Sequence, residues 1–324
     1  FSGNNGSNAS DGTKTLTPST TTAQAINTDV ALTDLSANTT YDLSAHLINS
    51  EDMSNNKLVS SGTTRPSDFV KADISQNIAS TTSSKLVMKI HNSQITGTLD
   101  INKYGVDVSG NNGDNASLQT VNKVPVNQGA SETNNDVSLN DLSANTLYDL
   151  SINMFNTQDM SSGKIDISGV TRPTDFNSNG TDVSQNMTGT ELSDNRIVMN
   201  IIHKDLEGTL DISGYTITYS ARDNSDSNTI TKTALVKSAH LSNLDVSINN
   251  LQYANTTYDM SINLFNIYDM SNTKIDISGT TKPSNFASGD ISQNVSDTSA
   301  NTIVLKINNS QQANTLDISG YTID

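Results

Sequence analysis

The side chains able to do chemistry in this 324-residue chain are few and scattered. Four histidines, His46, His91, His203 and His240, are the candidates for proton transfer or metal ligation. They stand at non-equivalent places in a chain that otherwise repeats itself, and His91 aligns with Ile202 rather than with another histidine. A lone histidine on a strand is ordinarily a surface or edge residue. Oxygen ligands gather at Asp223, Asn224, Asp226 and Asn228, the donors a calcium ion takes, but without the spacing and terminal Glu of a calcium loop. No nucleophile elbow, phosphate-binding loop or zinc spacing occurs. With no cysteine there is neither a disulfide nor a thiolate metal site. The expectation is a protein that is not an enzyme and carries no cofactor and no metal.

Charge and hydropathy bound the partners. The formal charge is −16, with 18 Lys and Arg against 34 Asp and Glu, so the basic stripe that a nucleic acid needs is missing. No run approaches eighteen apolar residues, so no segment here inserts in a membrane as a helix. Nine Asn-x-Ser/Thr sequons occur, at Asn5, Asn8, Asn38, Asn115, Asn179, Asn186, Asn255, Asn294 and Asn308. A composition this rich in Asn, Ser and Thr supplies about that many by chance, so they permit glycosylation without arguing for it. The first residue is Phe1 and no signal peptide precedes it, which suggests a piece of something longer.

What must position any site is a repeat. Residues 142–152, "LSANTLYDLSI", recur as "LSANTTYDLSA" at 35–45 and "LQYANTTYDMSI" at 251–262. Tyr41, Tyr148 and Tyr258 are spaced by 107 and 110 residues, and Pro66, Pro173 and Pro283 by the same amounts. The unit is a whole domain rather than a solenoid turn. At 33% hydrophobic residues and no Trp, the chain suits several small two-layer cores better than one large one.

Within a repeat the pattern is that of strands. Leu86, Met88 and Ile90 alternate with Val87 and Lys89, and Tyr148, Leu150, Ile152 and Met154 alternate with Asp149, Ser151 and Asn153. Period two marks half-buried strands. Clusters such as "SGNNGDNAS" (109–117) between them are turn chemistry. About seven short strands per repeat predict an all-β fold of tandem two-sheet antiparallel sandwiches, beads in series, with no helix longer than a turn or two.

At these residues the chain resembles the fibronectin type III family, an immunoglobulin-like sandwich. The likeness lies in Leu35 to Tyr41 and Leu142 to Tyr148, similar to a tyrosine corner, in the "ISGYTI" setting of Tyr215 and Tyr321, and in the "TTRP" or "VTRP" that closes each repeat. The resemblance implies that Tyr41, Tyr148 and Tyr258 are structural corner residues, each with its ring in the core and its hydroxyl tied a few residues upstream. The core Trp usual in the family is absent, with Ile90, Ile201 and Ile307 in that region, and the third corner has one extra residue between Leu251 and Tyr258.

Cut at the prolines, residues 66–172 and 173–282 are complete domains, 1–65 supplies later strands and 283–324 the first three. One loop repeats without an obvious core role: Met53, Met160 and Met270 each sit in "DMS". A methionine there either closes its own domain or packs near Phe69, Phe176 or Phe286 as an inter-domain contact. Two function classes follow. The first is a structural array in a fibre, filament or adhesin stalk on a cell or virion surface, whose partners are further repeats or other copies of itself. The alternative is a set of modules binding a surface glycan or protein, attached to a larger extracellular enzyme or receptor.

Overall fold

The computed structural model describes residues 1–3, 11–17, 29–110, 118–130, 133–188, 193–205, 207–222, 226–234 and 242–324. The chain forms tandem antiparallel β-sandwich modules, and its only helical pieces among the described residues are single 3₁₀ turns. It divides into two compact units, one made of residues 1–111, 116–142 and 147–169, the other of 112–115, 143–146 and 170–324.

The first unit begins with β1 (Ser2–Gly3), β2 (Thr40–Ala45) and β3 (Leu58–Thr63), a small sheet in that order. Its sandwich follows: β4 (Ile74–Gln76), β5 (Leu86–Asn92), β6 (Ile101–Gly110), β7 (Leu118–Lys123), β8 (Thr133–Leu139), β9 (Leu147–Asn156) and β10 (Ile165–Val170). One layer is ordered β4-β5-β8 and the other β10-β9-β6-β7, so neighbours in sequence exchange sheets as they do in a Greek-key sandwich. The core between the layers holds Leu86, Met88, Ile90, Tyr104, Val106, Tyr148, Leu150, Ile152 and Met154.

The second unit repeats this plan with β11 (Val183–Gln185), β12 (Ile197–His203), β13 (Ile212–Ala221), β14 (Ser227–Thr233), β15 (Ser242–Ile248), β16 (Thr257–Asn266) and β17 (Ile275–Thr280). Its layers are β11-β12-β15 and β14-β13-β16-β17. Tyr215, Ile217, Tyr258, Met260, Ile262 and Leu264 fill the core. A hairpin of β18 (Ile291–Gln293) and β19 (Leu305–Ile307) ends it.

Two local features explain repeated words. The register shifts between Ile101 and Lys103 and again between Ile212 and Gly214. That extra residue lets Ile101 and Tyr104, three apart, both face inward where strict alternation would send one outward. The "ISG" before each closing Thr ends in Gly169 or Gly279, where a Cβ would stand 2.8 Å from Leu86 Cδ2 or from Met260 Cε. Glycine is used there because the facing side chain already occupies the space.

Candidate functional site

The repeated phrase builds one corner three times, and each of its residues has a task. Leu142 and Leu251 are buried, and their amides donate to Ser84 O and Asn195 O at 3.0 and 2.9 Å. The extra residue of the third corner is therefore Gln252, taken up after the leucine and not by displacing it. Tyr41 and Tyr258 are buried in their cores, and each hydroxyl accepts the amide five residues upstream, Ser36 N at 2.7 Å and Tyr253 N at 3.0 Å. Tyr258 also donates to Asp226 Oδ2 at 2.9 Å. Burial pushes its hydroxyl far above the usual phenol range, against a lowering by the Tyr253 amide. Tyr148 is buried in the core of the first unit.

The threonine two residues before each tyrosine is stitched to the residue that follows the closing strand. Thr39 N accepts no competition from water, since it is buried and donates to Thr64 Oγ1 at 2.9 Å; Thr146 and Thr256 do the same to Thr171 and Thr281 at 3.0 Å. These closing threonines in turn donate to Ser36 O, Ser143 O and Tyr253 O.

The asparagine reaches farthest. Asn38, Asn145 and Asn255 all take the left-handed backbone, at φ 53°, 50° and 50°, a region that Asn tolerates better than most residues. Their amides donate to the carbonyls of Arg65, Arg172 and Lys282. Their carbonyls accept the amides of Leu99, Leu210 and Leu316 at 2.9, 2.8 and 2.8 Å, each in the following repeat. The side-chain Nδ2 donates to the carbonyl of the same leucine: 2.6 Å to Leu99 O, 2.5 Å to Leu210 O, and to Leu316 O. It reaches the neighbouring threonine too, at 3.0 Å to Thr98 Oγ1 and 3.3 Å to Thr209 and Thr315.

A second asparagine meets it from the "DMS" loop. Asn156 Nδ2 donates to Asn38 Oδ1 at 3.1 Å in the first unit, and Asn266 Nδ2 to Asn145 Oδ1 at 2.9 Å in the second. Asn156 Oδ1 organises its own loop by accepting the amides of Gln158 and Met160 at 3.0 Å, and Asn266 does so with Tyr268 and Met270. Asn49 shapes the first copy through the amides of Glu51 and Met53. In the second unit Arg172 Nη1 also donates to Ser271 O at 3.1 Å.

The methionines and phenylalanines singled out from the sequence occupy varied places. Met53 is 70% exposed, Met160 is half-buried and Met270 is 4% exposed. Phe69 lies in the core of its own sandwich with its ring 6.4 Å from that of Tyr104, and Phe176 packs on the core of its own sandwich. Phe286 is exposed and stacks on Tyr321 at 6.3 Å. In the two copies headed by Asn156 and Asn266 the loop is thus tied to the preceding corner through its leading asparagine, a residue the local sequence pattern does not single out.

His46 is exposed, His91 Nδ1 lies 3.1 Å from Asn134 Oδ1, His203 is buried, and His240 lies outside the described residues. Asp223 and Asn224 of the acidic loop also lie outside them, and Asp226 is engaged by Tyr258 and by the amide of Gln252. Among the described residues no cluster of three His, Cys, Asp or Glu could hold a metal ion, and no helix is long and apolar enough to cross a membrane.

No family model matches the chain, and no curated protein matches it. Among solved structures it is similar to a segment of two fibronectin type III domains from chicken tenascin, at 13% identity and a TM-score of 0.32, over 64% of this chain and 98% of that one. It is also similar to the FN1–FN3 domains of chicken CNTN1, at 15% identity and a TM-score of 0.31, over 77% of each chain.

Proposed function

We propose that the chain is a structural repeat array, part of an extracellular or virion-surface fibre, filament or adhesin stalk that acts by spanning distance, and that it is not an enzyme. The observation that carries this reading is the corner asparagine. In each copy it occupies the loops at one end of the following repeat, the turn at Leu99, Leu210 or Leu316 and, for two of them, the loop headed by Asn156 or Asn266. End loops are where a sandwich module ordinarily offers a binding surface. Loops filled by a neighbour are suited to joining repeats and poorly suited to holding a ligand.

Its partners, on this reading, are further repeats or other copies of the same chain. The test is electron microscopy of chains with increasing numbers of repeats, alongside a glycan and protein binding screen. The array reading expects stiff particles lengthening by about 30 Å per repeat, from longest strands of 10 residues at ~3.3 Å per residue. Saturable binding of a glycan or protein by a single repeat would favour the accessory-module reading instead.

A further inference from the structure

We propose that the corner asparagine is a carboxamide-specific plug that couples each repeat to the next, and that coupling requires its side-chain amide to be unmodified. The proposal rests on the array reading only in supposing that consecutive repeats act together. Asn38 must donate and accept at once: Nδ2 faces Leu99 O at 2.6 Å and Thr98 Oγ1 at 3.0 Å, while Oδ1 receives Asn156 Nδ2 at 3.1 Å. Asn145 repeats this with Leu210 and Asn266. Both are fully buried, so a group turned the wrong way has no water to fall back on.

The direction of the relay is set by backbone groups at its ends. The amides of Gln158 and Met160 demand oxygen from Asn156, which leaves its nitrogen for Asn38. The carbonyl of Leu99 demands nitrogen from Asn38, which leaves its oxygen for Asn156. Among short side chains able to occupy φ near +50°, only a carboxamide offers a donor and an acceptor together. An aspartate would set a carboxylate oxygen against the Leu99 carbonyl. Glycine would keep the turn and lose the plug.

The same geometry closes two sequons. Asn38-Thr39-Thr40 and Asn255-Thr256-Thr257 satisfy the acceptor pattern, yet each Nδ2 that a glycan would need is already committed to the next repeat. A glycan on Nδ2 replaces one of its two hydrogens with a bulky group that has no room beside Leu99 O. Glycosylation ahead of folding would therefore leave the plug unseated, whereas Asn179 is exposed and open to modification.

Hydrogen exchange read by mass spectrometry on the full chain tests this. Asn38→Asp and Asn38→Gly should each make the Leu99 amide, bound to Asn38 O at 2.9 Å, exchange about tenfold faster, with β5 and β9 unchanged. Asn156→Asp keeps the acceptor for its own loop and sets an oxygen against Asn38 Oδ1, so it should give the same loss from the socket side. It also decides the matter if the Asn38 variants unfold β2 and β3. Expression in a glycosylating host should leave Asn38 and Asn255 unoccupied in folded chain while Asn179 is occupied. Unchanged exchange at Leu99 in Asn156→Asp, wild-type exchange in Asn38→Gly, or a glycan on Asn38 with Leu99 still protected would each overturn the proposal. These readouts are local to one corner, so they can fail while particle length still supports the array, and the reverse.

Discussion

Replacing Tyr258 with Phe removes one oxygen from the second unit and leaves the ring in the core. The hydroxyl has two partners, the Tyr253 amide at 3.0 Å and Asp226 Oδ2 at 2.9 Å. Asp226 keeps the Gln252 amide at 3.0 Å and is not stranded. The Tyr253 amide is, because it lies buried with its acceptor gone. A neutral hydrogen bond contributes about 1 kcal/mol, one to a charged acceptor about 1.5–3, and an orphaned buried donor costs about 1–3. These terms overlap, and the expected loss is about 2–3 kcal/mol. For a domain near 100 residues that lowers its melting temperature by roughly 10–20 °C. Differential calorimetry on the full chain, with urea unfolding as a second measure, should show one transition displaced and the other in place, since repeats in an array respond locally. A loss under about 0.5 kcal/mol would mean that the amide finds another acceptor, and the corner argument would fail.

Three further outcomes follow from the same structure. In alkaline titration followed by tyrosine absorbance, Tyr104, Tyr215 and Tyr258 should stay protonated until their sandwiches unfold: burial raises all three, Tyr104 to about 12. With folded values raised, their contribution to stability is intact below pH 10 and is lost as pH climbs through the folded values. Asp205→Asn should stabilise the second unit at neutral pH by about 1 kcal/mol. Burial raises the Asp205 carboxyl, against a lowering by the Thr174 amide and hydroxyl, so its contribution is present in acid and lost as pH rises through that raised value, and the gap between parent and variant should close in acid unfolding curves. Gly214→Ala should destabilise its sandwich by more than about 1 kcal/mol in urea titration, because the new Cβ would lie 2.4 Å from the main-chain oxygen of Lys232, which cannot rotate away.

The strands were legible because alternation is a local signal: Tyr148, Leu150, Ile152 and Met154 face one core as their spacing requires. The bulge beside Tyr104 was not, since nothing in "LDINKYGV" marks which residue goes unpaired. The corner was half legible. Its tyrosine reads as core from its own alternating strand, but Asn38 acts on Leu99, 61 residues away and across a repeat boundary. A partner at that distance leaves no trace in the local pattern. The available signal was coincidence, an asparagine at the same step of every corner and another heading every "DMS" loop. The methionines of that loop carry no common role, with exposure from 70% at Met53 to 4% at Met270, and Phe69 and Phe176 pack in or on their own cores.

Where the repeats differ from one another, the differences come in compensating sets, and this separates the plug from the rest of the junction. After the proline that opens each repeat, one residue has both its amide and its carbonyl held. In the first sandwich Gln94 does both jobs, accepting from Ser67 N at 3.1 Å and donating to Ser67 O at 3.4 Å, and Gln311 does them for Ser284 at 2.9 and 3.2 Å. In the second sandwich Asp205 accepts from Thr174 N at 2.9 Å, but a carboxyl group lacks the amide N–H with which Gln94 reaches back. The missing donor is Asn272, whose Nδ2 reaches Thr174 O at 3.1 Å, standing where the first sandwich has Ser162. Asn272 Oδ1 still accepts the Leu264 amide, as Ser162 Oγ accepts that of Met154. Two residues can trade a donor and an acceptor between them when each reaches the target from its own strand or loop. The corner asparagine has no second residue to share with: donor, acceptor and left-handed turn fall on one side chain, and that position reads Asn in all three copies.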